Sequence, residues 1–584
     1  MLRELRARLK RGGINRRMDF FGLILTACFA VFLAKLVYVQ IISHEKYADR
    51  ARSQHTARLE LGARRGSIFD TRGRLLAVSL DRQSFFVDPP LVRNKLGSAK
   101  RISASLGMSP NDVLACLLKK DTNFVWVKRK VDEEEGRKAL ELGLRGLGYL
   151  EEPERTYPEG KLAAQVLGIV GDEGIGLEGL EHRFEKELCG RDGFAIVRVD
   201  GKRRRIISSD AMVFPAKPGN HLVLTIDAAM QQILEEELDV AMEKWEAASA
   251  SGIVMSPVTG EVLAIASRPA YDPGEFAECG CDERRNRAVA DCFEPGSVFK
   301  PFAAAAAIQE NLVELTDKIE CENGSWKAHG RVLHDHKPFG ELSFCEVIIR
   351  SSNIGAAKLG LMVGASRLYN YLSLFGFGER TGIEADGESP GILRPKREWR
   401  EMSVMSAAIG HEVATSVVQL ARAYCAIANG GVLLKPHLVK KVVSSGGEVI
   451  SQTEFPEVTR RVLRPDVAAT ISEILTKVVE EGTGRQAQVE GFEVAGKTGT
   501  AQKINEDGSY SHSDFVASFV GFAPASRPAI CVVATIDEPR GAYYGGTVAA
   551  PVVGNVVRRS LAYMGVEPAK EEKVSRTSDA DIDG

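Results

Sequence analysis

Residues 20–42 form an almost uninterrupted apolar run near the start of this 584-residue chain. A bilayer core offers no water to backbone amides, so such a segment can cross it only as a helix. At about 1.5 Å per residue the run extends roughly 34 Å, which exceeds a hydrocarbon thickness of about 30 Å. Its single charged residue, Lys35, can extend its amine toward the outer interface. The sequence therefore predicts one transmembrane helix over residues 20–42.

Basic residues precede this run at Arg3, Arg6, Arg8, Lys10, Arg11, Arg16 and Arg17. Because cytoplasmic flanks carry the excess of Lys and Arg, residues 1–19 are predicted to be a cytoplasmic basic tail, with the chain after residue 42 outside the cytoplasm. Two processed forms stay open: a cleaved signal peptide, and lipoprotein processing at Cys28. The apolar run continues well past Cys28, which favours a retained span.

The rest of the chain has an ordinary globular composition, with 26% charged and 44% hydrophobic residues. Its length leaves room for two or three domains that each bury a core. The formal net charge of -2 gives no electrostatic reason to expect a nucleic-acid partner.

Residues 294–307 combine a Pro-Gly turn with an alanine-rich helical run. Pro301 is acceptable only where a helix has just begun, so Ser297 is predicted at or next to a helix N-terminus. Free N–H groups and the helix dipole favour an anion there. Lys300, three residues on, is expected on the same face with its amine in reach of the Ser297 hydroxyl. Burial lowers the pKa of a lysine, so Lys300 can serve as the base that a serine nucleophile needs.

A Ser-x-x-Lys pattern alone is a weak signal, because two fixed letters in four recur by chance. Two further segments follow it, Ser-Ser-Asn at residues 351–353 and Lys-Thr-Gly-Thr at residues 497–500. The three motifs in this order are those of penicillin-binding proteins and serine β-lactamases. At this point the chain resembles a class B penicillin-binding protein, a membrane-anchored D,D-transpeptidase of cell-wall synthesis.

The resemblance implies a role for each motif residue. Ser297 attacks the carbonyl of the penultimate D-alanine of a stem peptide, and Lys300 is the base for that attack. Ser351 relays a proton to the leaving nitrogen, while Asn353 holds the substrate backbone and orients the lysine. Lys497 supplies positive charge near the substrate carboxylate.

The remaining residues of the third motif are expected to bind substrate. Thr498 and Thr500 offer hydroxyl donors to the carboxylate, and Gly499 removes a side chain where the substrate lies against an edge strand. The backbone N–H groups of Ser297 and Thr500 would form an oxyanion hole, in which one donor typically contributes about 3 kcal/mol. The amine of a neighbouring stem peptide then takes the acyl group, and no cofactor or metal is implied.

Residues 43–215 are predicted to be the pedestal, or dimerisation, domain that holds the catalytic domain away from the membrane. Three segments, residues 63–77, 155–158 and 176–181, resemble the signature segments of that domain. The first predicts a strand, a tight turn at residues 70–73 and a second strand. Residues 202–205, Lys-Arg-Arg-Arg, are interpreted as a solvated loop.

The pattern at residues 221–227 predicts a strand that leads into a helix at residues 228–245, and residues 252–267 predict a hairpin. Two more apolar strands, at residues 517–522 and 529–537, follow closely enough to pair with the strand of Lys497. Strands at both ends of a domain with helices between them predict an α+β fold, an antiparallel sheet covered by helices. The resemblance implies the serine β-lactamase/transpeptidase fold over residues 216–564, and residues 565–584 are predicted to be a disordered tail.

Four further features qualify this interpretation. Asn353 stands where elongation-type relatives more often carry aspartate, which favours a septal, division-type enzyme. Relatives usually have a Gly-x-Gly segment before a threonine, and in residues 408–415 Glu412 stands in place of the second glycine. His411 in the same segment is expected to be a cleft-wall residue. Residues 334–336, His-Asp-His, lack a third ligand at helical spacing, so a structural role is preferred over a metal site. Four of the ten cysteines lie where they could pair, with the connectivity open: Cys279, Cys281, Cys292 and Cys321.

The favoured function is a peptidoglycan D,D-transpeptidase of septal cell-wall synthesis in the bacterial cytoplasmic membrane, and a β-lactam target. Implied partners are stem peptides ending in D-Ala-D-Ala, β-lactams, a SEDS-family membrane glycosyltransferase and division-complex proteins. Two alternatives remain. A membrane-anchored serine β-lactamase would need a carboxylate for a deacylating water, for which no motif is found. A non-catalytic penicillin sensor or scaffold would keep the motifs, although such sensors usually carry several membrane spans.

Overall fold

The computed structural model describes residues 2–120, 122–198, 212–505 and 507–568. The chain divides into two compact units, Met1–Ala63 with Arg191–Lys217, and Arg64–Gly190 with Pro218–Gly584. The basic segment at residues 202–205 and residues 569–584 of the predicted tail lie outside the described residues.

The first unit begins with the helix Leu2–Val37, which continues as a π-helical turn, Tyr38–Ile42, and is followed by the helix His44–His55. Within it, Met18–Ile42 has a mean hydropathy of 2.3 and no buried share, so its length and composition suit a membrane span. The helix predicted at residues 20–42 is thus confirmed as an apolar helix. The unit also holds a three-stranded antiparallel sheet in the order Thr56–Leu61, Gly193–Arg198, Met212–Phe214.

The second unit contains a seven-stranded sheet to which both predicted domains contribute. Its strands run in the order Val449–Gln452, Val439–Val443, His221–Leu224, Ile68–Phe69, Leu75–Val87 and Val125–Val131, with Leu147–Thr156 also paired to Leu75–Val87. Only the pairing of Ile68–Phe69 with His221–Leu224 is parallel among the described ladders of this sheet. The predicted strand, turn and strand at residues 63–77 are confirmed. Because strands from both sides of residue 215 share one sheet, the boundary there stays a prediction.

The part of this unit before residue 190 also contains helices and a buried cluster of charged side chains. Its helices are Lys95–Leu106, Pro110–Leu118, Glu133–Glu141, Ala164–Leu167, Gly179–Arg183 and Glu185–Leu188. The three signature segments meet at Glu181, which is fully buried and accepts hydrogen bonds from Arg65 Nε (2.5 Å) and Arg155 Nε (2.7 Å). A buried carboxylate needs such partners because its desolvation is costly.

A five-stranded antiparallel sheet forms the centre of the remaining part. We label its strands in chain order β1 (Ser249–Met255), β2 (Val262–Arg268), β3 (Ala495–Ile504), β4 (Tyr510–Ala523) and β5 (Ile530–Asp537). The spatial order is β2-β1-β5-β4-β3, so β3 is an edge strand. The predicted β1–β2 hairpin is confirmed. Of the two strands expected beside the strand of Lys497, only β4 pairs with it, because β5 lies between β4 and β1.

Helices cover both faces of this sheet, which confirms the α+β fold. We label five of them α1 (Ala228–Trp245), α2 (Lys300–Gln309), α3 (Asn353–Val363), α4 (Val417–Ala428) and α5 (Ala550–Met564). One core joins α1 and α5 to one sheet face, and the core that includes α2, α3 and α4 lies on the other. Further helices are Cys281–Arg284, Arg287–Ala290, Phe344–Ile349, Ala365–Leu374, Glu401–Ala408, Pro465–Glu480 and Gly545–Val548.

Four short antiparallel strand pairs lie outside the two large sheets. They are Lys318–Glu320 with Glu341–Ser343, Ser325–Ala328 with Arg331–His334, Ile392–Leu393 with Val413–Ala414, and Val432–Leu434 with Val458–Arg461. All ten cysteines are unpaired thiols, including the four that the sequence left open for pairing.

Candidate active site

Ser297 lies in a 3-10 turn, Gly296–Phe299, that leads directly into α2. The turn is held from two sides: Gly296 N donates to Gly410 O (3.0 Å), and the Tyr424 hydroxyl donates to Val298 O (2.6 Å). Tyr424 is fully buried, so its hydrogen bond fixes the turn against α4. The prediction that Ser297 lies next to a helix N-terminus is confirmed, with α2 itself beginning at Lys300.

Lys300 is fully buried, and its amine is directed at the second motif. Its Nζ donates to Ser351 O (2.6 Å), Ser351 Oγ (3.2 Å) and Asn353 Oδ1 (2.8 Å). Among the described residues no hydrogen bond joins this amine to the Ser297 hydroxyl, so the expected reach of the Lys300 amine to Ser297 stays a prediction. A 3-10 turn keeps residues i and i+3 on one side, so the direction of the Lys300 amine follows from its acceptors at Ser351 and Asn353.

Burial lowers the pKa of Lys300 to about 7, and the nearby charge of Asp335 acts in the opposite direction. The physical cause is desolvation, which disfavours the ammonium form. A lysine with this pKa is partly neutral near pH 7 and can accept a proton, as the sequence predicted.

Ser351 and Asn353 lie where one helix ends and another begins, and both line the cleft. Ser351 takes the left-handed conformation (φ 60°), which is unusual for a residue with a side chain. The intervening Ser352 is the N-cap of α3 and accepts from Gly355 N (3.0 Å). Asn353 Nδ2 donates to His334 O (2.8 Å), and this contact turns Asn353 Oδ1 toward Lys300. The two predicted residues are thus brought together with Lys300.

Lys497 approaches the same serine from the edge strand β3. It is fully buried, and its Nζ donates to Ser351 Oγ (2.9 Å) and to Thr498 O (3.3 Å). Burial and the neighbouring Lys300 hold the pKa of Lys497 well below its usual range. Two amines that share one hydroxyl cannot both carry a charge without strong repulsion, so the positive charge expected at Lys497 near a substrate carboxylate stays a prediction.

Thr498 and Thr500 line the cleft, but Gly499 does not. Thr498 Oγ1 lies 2.8 Å from Thr483 Oγ1, and Thr500 Oγ1 accepts from Gly545 N (3.0 Å). A β-carbon at Gly499 would lie 2.3 Å from Ser518 Oγ and 2.8 Å from Pro295 O. The glycine is therefore needed because β3 packs closely against the turn of Ser297. The expectation that Gly499 makes room for substrate stays a prediction.

The cleft between these elements has a volume of about 680 Å³. It is lined by Ser297, Ser351, Asn353, Thr498 and Thr500 among others, so residues of all three motifs converge on it. Sequence reasoning missed several other lining residues, because each lies outside the three motifs: His336, Lys337, Thr483, Arg485, Gln486, Gln502, Phe515, Tyr544, Gly545, Gly546 and Thr547. A concave site of this size suits a small peptide segment or a drug-sized ligand.

Residues 408–415, the segment in which Glu412 stands where relatives have a glycine, form one wall of the cleft. His411 lines the cleft, as predicted, and its Nδ1 lies 2.9 Å from Glu294 Oε2. Glu412 N donates to Glu294 Oε1 (2.8 Å), and the Glu412 backbone takes the left-handed conformation (φ 60°) that a glycine would adopt easily. Burial opposes ionisation, but hydrogen bonds from His411, Glu412 N–H and Tyr510 together hold the pKa of Glu294 below its usual value.

Asp335 is a residue that sequence reasoning considered only for metal binding. Its carboxylate accepts hydrogen bonds from Ser352 Oγ (2.7 Å), Ile354 N (3.2 Å) and Asn353 N. The contacts give it a role at the N-terminus of α3. Among the described residues no group of three or more His, Cys, Asp or Glu side chains is placed to hold a metal ion. No local pattern connects residue 335 to residues 352–354, which is why the sequence did not indicate this role.

Comparisons with protein families match both parts of the chain. Residues 250–558 match the penicillin binding protein transpeptidase domain, and residues 60–224 match the penicillin-binding protein dimerisation domain. Stage V sporulation protein D of Bacillus subtilis (strain 168) is 34% identical over 96% of this chain and 87% of its own length. The chain belongs to the class B penicillin-binding proteins. It is thereby a serine-type peptidoglycan D,D-transpeptidase of cell-wall synthesis.

Two further relatives support the assignment of this penicillin-binding protein. Peptidoglycan D,D-transpeptidase FtsI of Escherichia coli (strain K12) is 31% identical over 94% of this chain and 91% of its own. The crystal structure of penicillin binding protein 3 from Mycobacterium tuberculosis, complexed with aztreonam, superposes with a TM-score of 0.69 at 28% identity. That superposition covers 88% of this chain and 98% of the other.

Proposed function

We propose that this protein crosslinks stem peptides in septal cell-wall synthesis through an acyl-enzyme on Ser297. The observation that carries the proposal is the convergence of two buried amines on one hydroxyl: Lys300 Nζ and Lys497 Nζ lie 3.2 Å and 2.9 Å from Ser351 Oγ. Ser297 lines the same cleft. A nucleophile, a base of lowered pKa and a proton relay are the groups that serine acyl transfer requires.

In the proposed acylation, Ser297 Oγ bonds to the carbonyl carbon of the penultimate D-alanine, and the neutral Lys300 amine takes its proton. The terminal D-alanine leaves when the peptide C–N bond breaks, and Ser351 Oγ passes a proton to the departing nitrogen. Asn353 holds the peptide backbone and keeps Lys300 in place. Hydrogen bonds from the N–H groups of Ser297 and Thr500 would stabilise the developing oxyanion.

The third motif supplies the recognition of the carboxylate. Thr498 and Thr500 line the cleft, and Lys497 becomes charged when the substrate carboxylate enters, since an anion nearby favours the ammonium form. The amine of a second stem peptide then attacks the ester carbonyl, which forms the crosslink and frees Ser297. This part of the mechanism needs no group beyond the residues of the cleft.

We further propose a single-pass protein of the bacterial cytoplasmic membrane with residues 1–19 in the cytoplasm. The support is the basic segment before an apolar helix of membrane-spanning length. The pedestal, residues 43–215, then holds the transpeptidase domain, residues 216–564, in the extracytoplasmic space. A SEDS-family glycosyltransferase and division-complex proteins are the proposed partners, and the relation to FtsI supports the septal role.

β-Lactams are proposed inhibitors, since a β-lactam copies the D-Ala-D-Ala strand and its acyl-enzyme persists. The deciding experiment is covalent labelling of the purified full chain with a fluorescent penicillin, followed by denaturing electrophoresis. Ser297→Ala is expected to abolish the label. The matched control is Ser343→Ala, which removes the cap serine of the helix Phe344–Ile349. Ser343 does not line the cleft, so this variant should leave the Ser297 label in place.

The outcomes separate the alternatives. Undiminished covalent labelling of Ser297→Ala would refute the nucleophile, and rapid hydrolysis of the drug by the natural chain would indicate a β-lactamase. Rescue of septation in a strain depleted of this protein, lost with Ser297→Ala, would distinguish an enzyme from a non-catalytic sensor. A defect confined to spore formation would instead assign the role suggested by the name of the Bacillus subtilis relative.

A further inference from the structure

The hairpin Ser325–Ala328 with Arg331–His334 ends at a carboxylate that contacts the second motif. Asp335 Oδ2 accepts from Ser352 Oγ (2.7 Å), and Asp335 Oδ1 accepts from Asn353 N and from Ile354 N (3.2 Å). The carboxylate thus occupies the N-terminus of α3, where free N–H groups and the helix dipole stabilise a negative charge. We infer that Asp335 is a positioning residue of this active site, which fixes the second motif and supplies a negative charge opposite Lys300. The inference rests on the proposed function.

The same hairpin fixes the side-chain amide of Asn353. His334 O, the carbonyl just before Asp335, accepts from Asn353 Nδ2 (2.8 Å). Because an amide has one oxygen and one nitrogen end, this contact leaves Asn353 Oδ1 to accept from Lys300 Nζ (2.8 Å). Asp335 binds the backbone N–H of Asn353 and His334 binds its side chain, so the hairpin end holds the asparagine at both points.

The charged groups around Lys300 come from two elements. Lys497 faces it from β3 and is itself affected by the Lys300 charge, while Asp335 and His336 face it from the end of the hairpin. Partial burial and then the positive charges of Lys300, Lys337 and Lys497 lower the pKa of His336. Asp335 is therefore the anion that faces a cationic group of side chains, within the described part of the chain.

The charge of Asp335 has a chemical consequence for the base. Burial lowers the pKa of Lys300 to about 7, and Asp335 raises it in opposition to that effect. A general base is most effective when its pKa lies near the working pH. Without Asp335 the pKa of Lys300 would fall further, and the amine would be neutral over a wider pH range but a weaker base.

Three variants separate charge from position. Asp335→Asn keeps an acceptor for the α3 N–H groups and a donor for Ser352 while it removes the charge. Ser352→Ala removes the hydrogen bond to Asp335 together with the cap acceptor of Gly355 N, and it leaves the Asp335 charge in place. Asp335→Ala removes both the hydrogen bonds of Asp335 and its charge. Glu346→Gln is the control, because Glu346 is also a helix-cap carboxylate, in the capping box with Ser343, and among the described residues its side chain hydrogen-bonds to Ser343 and not to the motif.

The measurement is the second-order rate of acylation of the full chain by a fluorescent penicillin from pH 5 to pH 9, with thermal unfolding in parallel. Asp335→Asn should move the acid limb of the profile to lower pH, with a plateau modestly below that of the natural chain because Lys300 becomes a weaker base. Ser352→Ala should lower the plateau and leave the limb in place. Asp335→Ala should move the limb and lower the plateau about tenfold or more, since misplaced catalytic groups cost rates of that order. Glu346→Gln should match the natural profile.

An acid limb of Asp335→Asn that coincides with the natural one would overturn the charge role. A full plateau rate in both Ser352→Ala and Asp335→Ala would overturn the positioning role. If Asp335→Ala does not fold, the other two variants still decide the two roles, because each keeps an acceptor at the start of α3. If the fluorescent penicillin does not label the natural chain, the proposed function is contradicted. If it labels the natural chain but the Asp335 variants keep the natural pH profile of acylation, only the inference about Asp335 is contradicted.

Discussion

Lys300 shows how burial prepares a residue for catalysis. In the structure three acceptors hold its amine, Ser351 O, Ser351 Oγ and Asn353 Oδ1, and that is the arrangement of an ammonium donor. A base must instead present a lone pair. Burial resolves the conflict, because it lowers the pKa to about 7 and so makes deprotonation accessible near neutral pH.

We therefore expect acylation of Ser297 to depend on pH through Lys300. The group has a folded-state pKa below its ordinary value, so its active neutral form dominates above pH 7 and is lost as pH falls. The second-order rate with a fluorescent penicillin should fall about tenfold for each pH unit below the pKa and level off above it. This profile is measured from labelling reactions that are stopped at a series of times, at pH values between 5 and 9.

Lys300→Arg provides the matched control for this prediction. The guanidinium keeps a positive charge at the site but does not deprotonate at accessible pH. Acylation should therefore be lost at every pH tested. A flat profile of the natural chain between pH 5 and pH 8, or a labelled arginine variant, would contradict the role of Lys300 as the base.

At the scale of elements, the turn of Ser297 depends on the segment of residues 410–412. Gly410 has φ 81°, and a β-carbon there would lie 2.1 Å from Gly296 O and 2.7 Å from Gly296 C. Glu294 binds the same segment through Glu412 N (2.8 Å). The two backbones are therefore in direct contact, and the position of the nucleophile depends on the absence of a side chain at residue 410.

Gly410→Ala should displace the turn and strongly reduce Ser297 acylation. Gly387→Ala is the matched control, because Gly387 also has positive φ (75°) but nothing lies within 4 Å of its added β-carbon. The control should cost about 1 kcal/mol of unfolding free energy from backbone conformation alone and keep its labelling. Labelling rates and thermal unfolding measured for both variants decide the matter. Equal labelling of the two would show that the contact at Gly296 does not position the turn.

Local signals predicted several elements closely. Asp227 caps α1, accepting from Ala229 N (3.0 Å), and the helix predicted at residues 228–245 is the observed Ala228–Trp245. The hairpin of β1 and β2 and the strand β4 follow equally from alternation and turn residues. By contrast, the direction of the Lys300 amine depends on its acceptors at Ser351 and Asn353, and the reason for Gly499 depends on Pro295 and Ser518. Contacts between distant segments leave no local pattern, so Asp335 was missed for the same reason.

At the scale of the whole molecule, sequence motifs predicted the order of domains but not how their strands combine. Residues 64–190 and 218–568 contribute to one compact unit, and its seven-stranded sheet takes strands from both. The joint lies at the parallel pair Ile68–Phe69 with His221–Leu224. Next to it, Asp70 Oδ1 accepts from Arg72 N (2.9 Å) and Arg74 N (2.7 Å), while Asp70 Oδ2 accepts from Ala228 N (3.2 Å). One buried carboxylate therefore closes a turn on one side of the joint and caps α1 on the other.

Asp70→Ala should destabilise both sides of this joint together, since three N–H donors lose their acceptor in a buried site. The expected loss of unfolding free energy is about 2–4 kcal/mol, and hydrogen exchange should rise both in Ile68–Phe69 and in the first turn of α1. Asp507→Ala is the control, because Asp507 closes an exposed turn through Ser509 N (2.9 Å) and should change neither region. Hydrogen exchange could instead rise around residues 70–74 while α1 keeps its protection. That result would show that Asp70 stabilises only its own turn, and that the sheet couples the two parts of the unit without help from Asp70.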